Sequence, residues 1–201
     1  MPSVLDTLAS LVSINSVNPE WRGPGESEVA AFVRSYFENS GIEVWEEEVL
    51  PGRNNVMARL PGRDSSRTVI LEAHMDTVSV DDMTIPPFKP EIKDGLLYGR
   101  GSCDTKAGLA GMMEALRSLK EEGKTPPCDV ILAAVVDEEH AYRGVLTLVD
   151  SLQKRKIKAI ASVVAEPTEL RLVRANKGVL RWQIQTHGVS AHSSKPHLGK
   201  N

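Results

Sequence analysis

The chain is nearly without cysteine: Cys103 and Cys128 are the only two in 201 residues, and they stand far apart. That rules out a disulfide framework and a CxxC-type zinc site. An excess of basic charge is also missing, since 24 Lys and Arg face 27 Asp and Glu, for a formal net charge of −3. With no basic run there is no footprint for the phosphates of a nucleic acid. No apolar run approaches the roughly 20 residues of a membrane span. The opening MPSVLDTLASL carries Asp6 and no basic residue, unlike a signal peptide. Repeats and low-complexity tracts are absent. The expectation is a soluble, cytoplasmic protein with one α/β domain and the start of another.

What is present is organised around Thr68–Asp76, TVILEAHMD. Val69, Ile70 and Leu71 read as a buried strand that runs into His74 and Asp76. Two residues apart on an extended backbone, these side chains point to the same side. A neutral imidazole ligates zinc well, and a nearby carboxylate fixes the ring's orientation and tautomer.

The rest of the chain alternates helices and strands. Val4, Leu5, Leu8, Leu11 and Val12 fall at helical spacing behind a Ser3/Asp6 capping box. Asn15–Gly25 reads as a loop, followed by a helix whose apolar face is Val29, Phe32, Val33, Tyr36 and Phe37, stopped at Gly41. Strands are expected at Ile42–Leu50, Asn55–Leu60 and Thr68–Ala73, and a hairpin turn at Asp94-Gly95. A third helix carries Leu109, Met112, Met113, Leu116 and Leu119. Val130–Val136 and Ala159–Ala165 read as strands covered on both faces, with a short helix over Gly144–Lys154 between them. Such alternation predicts a mostly parallel sheet flanked by helices. From Leu172 the texture changes, and Val179–Thr186 alternates like a sheet with one wet face. This places the domain boundary at Lys177-Gly178, between 1–177 and 178–201.

Four acidic or histidine clusters follow strands or enter a helix: His74/Asp76, Asp104 in GRGSCDTKAG, Asp137-Glu138-Glu139-His140, and Glu166 in AEPT. Open α/β sheets build sites beyond the carboxyl ends of their strands, so the four can converge. Gathered carboxylates repel unless a cation sits among them, which favours a metal site. Other motifs fail. Ser118 stands where a phosphate loop needs its first glycine, GRG lacks the third glycine of a dinucleotide fingerprint, and His192 replaces the last glycine of a nucleophile elbow.

In order and spacing, AHMDTV, YGRGSCDTKAG, DEEHAYRG, AEPT and GVSAHSSKPHLGKN resemble the acetylornithine deacetylase / succinyl-diaminopimelate desuccinylase family. These dizinc amidohydrolases include aminoacylase and glutamate carboxypeptidase. The resemblance spans essentially the whole chain and implies that 1–177 is a zinc-exopeptidase-like catalytic domain and 178–201 the beginning of a smaller α+β lid or dimerisation domain. It implies that His74 and Glu166 bind one metal and Glu139 the other, with Asp104 bridging, and that cobalt can stand in for zinc. Glu138 is then the general base, Asp76 orients His74, and His192 supports the oxyanion, across the subunits of a homodimer. It further implies a cis peptide after Asp104. The family takes one more ligand from a histidine near its C-terminus, and neither His187 nor His197 has the right context. The chain is therefore expected to be the N-terminal portion of a longer enzyme acting on a small N-acyl amino acid or dipeptide. Two other readings compete: an incompetent fragment that keeps the fold and partial metal binding, and a serine hydrolase through Ser190, indifferent to chelators.

Overall fold

The computed structural model describes residues 3–178, 180 and 182–200. It divides into two compact units, Met1–Pro167 and Thr168–Asn201. The first holds a five-stranded sheet in the order β1-β2-β6-β3-β7. β1 (Glu43–Leu50) and β2 (Arg53–Leu60) are joined by Pro51-Gly52. So short a link allows only an antiparallel pair. β3 (Asp64–His74), β6 (Cys128–Val135) and β7 (Ala159–Val164) are parallel neighbours. A separate hairpin pairs β4 (Glu91–Lys93) with β5 (Leu96–Tyr98). It turns through Asp94 and Gly95, both left-handed at φ 51° and 79°.

Helices α1 (Val4–Ser13), α2 (Ser27–Asn39) and α3 (Lys106–Glu121) cover one face of the sheet, and α4 (Arg143–Lys154) lies against the other. In α1 the capping box forms as expected: Asp6 N–H donates to Ser3 Oγ at 3.3 Å, and Ser3 N–H to Asp6 Oδ2 at 2.7 Å. β6 explains its own apolar run, because Leu132, Ala134 and Val136 point into the three-helix core while Ile131, Ala133 and Val135 point toward α4. β6 is thus buried on both faces, which contributes about 1.5–3 kcal/mol for each large side chain.

Two expectations change. β7 forms at the expected place, yet all six of its residues are exposed. Among the described residues it lies at the end of the sheet order, and Val163 and Val164 are about half exposed. An apolar run reports a strand's composition, not its rank in the sheet. The expected alternating strand over Val179–Thr186 has no counterpart among the described residues, and Val179 and Arg181 lie outside them. Among its described residues the second unit has a 3₁₀ turn at Pro196–Leu198 and a bridge between Val189 and Lys200. The division after Pro167 precedes the change of texture because residues 168–178 form no helix or strand.

Candidate metal centre

The parallel order β6-β3-β7 brings three carboxyl ends to one edge of the sheet. His74 is the last residue of β3, Asp137–Glu139 follow β6, and Glu166 follows β7. Asp104 arrives from the loop before α3, whose first turn is pressed onto the end of β7. Thr105 Oγ1 donates to Ala165 O at 3.0 Å, and a Cβ at Gly108 would lie 2.4 Å from that of Ala165. Only glycine allows this approach. The Asp104–Thr105 peptide is cis.

Two sets of side chains each bring one ligand atom apiece within 4.8 Å of one another: His74, Asp104 and Glu166, and His74, Glu138 and Glu139. His74 is buried and belongs to both. Its Nδ1 lies 2.9 Å from Asp76 O. A carbonyl only accepts, so the proton sits on Nδ1 and Nε2 faces the acids, 3.1 Å from Asp104 Oδ1. Burial opposes a charge on the ring, but Asp104, Asp76 and Glu138 outweigh it and raise its pKa to about 9. Asp104 is lowered in turn by its bond to His74. Burial first, and then the neighbouring acids, push Glu139 up to about 7 and raise Glu166. Glu72, two residues before His74 on β3, is likewise pushed to about 7 by burial.

This donor set fits divalent cations. One imidazole nitrogen and several carboxylates suit zinc and its neighbours. Burial and the crowded acids favour protons on His74 and Glu139 in the place where a cation would neutralise the cluster.

Residues 70–196 match the family described as Peptidase family M20/M25/M40. The chain belongs to this family. It is 32% identical to an acetylornithine deacetylase of Vibrio campbellii, over all of this chain and 52% of the relative. It is 30% identical to a probable succinyl-diaminopimelate desuccinylase of Staphylococcus aureus, over 98% of this chain and 48% of the relative. The chain thus spans about half the length of these curated relatives. Among solved structures, aminopeptidase PepT from Bacillus cereus superposes with a TM-score of 0.63 at 30% identity, over 81% of this chain and 42% of that one. Human carnosine dipeptidase 1 gives 0.71 at 21% identity, over 81% and 38%, and speaks to the fold.

The structure of this M20-family chain also places residues that sequence reasoning missed. Four successive amides at the end of β6 are each received by a buried side chain. Val136 N–H donates to Asn55 Oδ1 at 3.1 Å and Asp137 N–H to Glu26 Oε1 at 3.1 Å. Glu138 and Glu139 N–H donate to the two oxygens of Asp76, at 3.1 and 3.2 Å. His74 Nδ1 thus meets the main-chain oxygen of Asp76, while the Asp76 carboxylate, 3.7 Å from Nδ1, receives the amides of the turn that carries the glutamates. Glu26 is gripped by Arg53 through two bonds of 2.7 and 2.6 Å. Lys106 is wholly buried and donates to Leu11 O and Ile14 O at 2.9 and 2.8 Å, tying the Asp104 loop to the end of α1. His140 stands near Glu20, at 3.7 Å. His192 lies in the second unit, exposed, where its Nδ1 accepts from Ser194 N–H at 3.3 Å. It belongs to neither ligand set.

Proposed function

We propose that this chain supplies the metal-binding part of a hydrolase that cleaves the amide bond of a small N-acyl amino acid or dipeptide. The observation that carries the reading is the convergence of His74, Asp104, Glu138, Glu139 and Glu166 from four segments at one edge of the sheet. The names of the relatives, a deacetylase, a desuccinylase and an aminopeptidase, support the same class of bond.

His74 and Glu166 would hold one cation and Glu139 a second, with Asp104 available to both. When bound, two zinc or cobalt ions supply Lewis acidity toward the scissile carbonyl and toward water. Glu138 takes a proton from the attacking water as its oxygen bonds to the carbonyl carbon. It returns that proton to the amine nitrogen as the C–N bond breaks. His192, in the lid and dimerisation portion we read from residue 178 onward, donates to the developing oxyanion across a homodimer, in a cytoplasmic enzyme.

The base is tested with Glu138→Gln in the complete enzyme. Turnover should fall by about 10²–10⁴-fold while the metal content stays that of the unaltered protein. Loss of metal instead would exchange the roles of Glu138 and Glu139.

A further inference from the structure

Asn18 lies in the stretch that reads as a featureless loop, yet it is buried at the back of the glutamate turn. Its Nδ2 donates to Asp76 Oδ2 at 2.7 Å and to Asp137 Oδ1 at 3.1 Å. Its Oδ1 accepts from Glu20 N–H at 3.1 Å, so all three bonds fix which end of the amide is nitrogen. The backbone is pinned as well, because Asn18 N–H donates to Thr77 O at 2.9 Å, one residue beyond Asp76.

This position demands a donor with two hydrogens. Asp137 is shared by Arg53 and Arg143, at 3.2 Å each. Asp76 has no lysine or arginine within ion-pair distance among the described residues, and it receives Glu138 N–H, Glu139 N–H and Asn18. Removing the Asn18 amide leaves two buried carboxylates close together with no donor between them. Such a pair repels and separates. That moves the Asp76 oxygens, and with them the two amides that set where Glu138 and Glu139 point. A catalytic base displaced by even 1 Å loses much of its effect.

We propose that Asn18 is a positioning residue for the reaction, acting through Asp76 on the orientation of Glu138 and Glu139. This rests on the reading of Glu138 as base and Glu139 as ligand. Asn18 is also the N-cap of the 3₁₀ turn Pro19–Trp21, and the two roles separate by substitution. Asn18→Ser keeps a cap oxygen but cannot reach both carboxylates.

The experiment compares Asn18→Ser, Asn18→Ala, Glu138→Gln and the Asn18→Ser/Glu138→Gln double variant in the complete enzyme. Turnover is measured on whichever substrate of an acetyl and succinyl amino acid panel the unaltered enzyme cleaves fastest, and visible spectra are taken after cobalt loading. Asn18→Ser should lower kcat by about 10–100-fold with KM within about twofold and metal content unchanged, and should shift the cobalt bands. In the Glu138→Gln background the further loss should be smaller than in the unaltered enzyme, because the base it positions is gone and only its hold on Glu139 remains. Wild-type kcat and unshifted bands in Asn18→Ser would reduce Asn18 to a cap and overturn the proposal. So would an equal loss in both backgrounds. Full turnover by Glu138→Gln instead sinks the base assignment, and the cobalt bands of Asn18→Ser then decide whether Asn18 orients Glu139. Asn18→Ala need not fold for these outcomes to stand.

Discussion

Acids gather on both sides of the turn at 137–139, and the two groups are held in opposite ways. In front of it, Asp104, Glu139 and Glu166 have no lysine or arginine within ion-pair distance among the described residues, and burial and mutual repulsion raise the pKa of Glu139 and Glu166. Behind it, Glu26 and Asp137 are paired with arginines, and Asp76 accepts two backbone amides and the Asn18 amide. The rear group has every partner it needs from the fold. In front, the His74 ring, 3.1 Å from Asp104, is outnumbered by the carboxylates around it, as expected of side chains that wait for a cation. The same residue type is scaffold in one place and ligand in the other, and its partners make the difference.

The sharpest way to break the contrast is at the rear. Arg53→Ala leaves Glu26 buried with no cation, and should cost about 3–5 kcal/mol in denaturant unfolding of the metal-free protein. A loss below about 1 kcal/mol would mean that the rear acids are not structural.

The front group should reveal itself through pH. Folding raises Glu139 from its ordinary 4.5 to about 7 and His74 from 6.5 to about 9, so the folded state binds protons more tightly at both. That stability is complete below the unfolded values and is lost as pH rises through the folded ones. The melting temperature of chelator-treated protein should therefore decline between about pH 4.5 and 9, and excess zinc should flatten the decline. A flat profile without metal would mean the front acids find counter-charges elsewhere. The smallest effect should come from Arg34→Ala, whose partner Glu38 is about half exposed, like Arg34 itself. No resolvable shift of the unfolding midpoint is expected by the same measurement, because solvent screens so exposed a pair.

The front group was legible in the sequence and the rear group was not. His74, Glu138, Glu139 and Glu166 stand where apolar strands end, and Asp104 where a glycine-rich loop enters a helix, all local signals. Asn18 joins Asp76 and Asp137, 58 and 119 positions away, and nothing near it marks it as buried. Glu26 and Arg53 form an ion pair across 27 positions, which no short-range pattern marks. The one local hint was Lys106, a lysine among small residues at the start of a helix that proves fully buried. β7 makes the same point in reverse, since its apolar run is local and its exposure depends on where the sheet stops.

The central claim is that the front acids are assembled for cations. Calorimetric titration of zinc into metal-free protein at pH 7, repeated in buffers of different ionisation enthalpy, tests it most directly. Saturable binding should release about one to two protons per protein, drawn from His74 and Glu139. Asp104→Ala should weaken the binding and reduce that release. Saturation with no proton release, or binding unchanged in Asp104→Ala, would contradict the account.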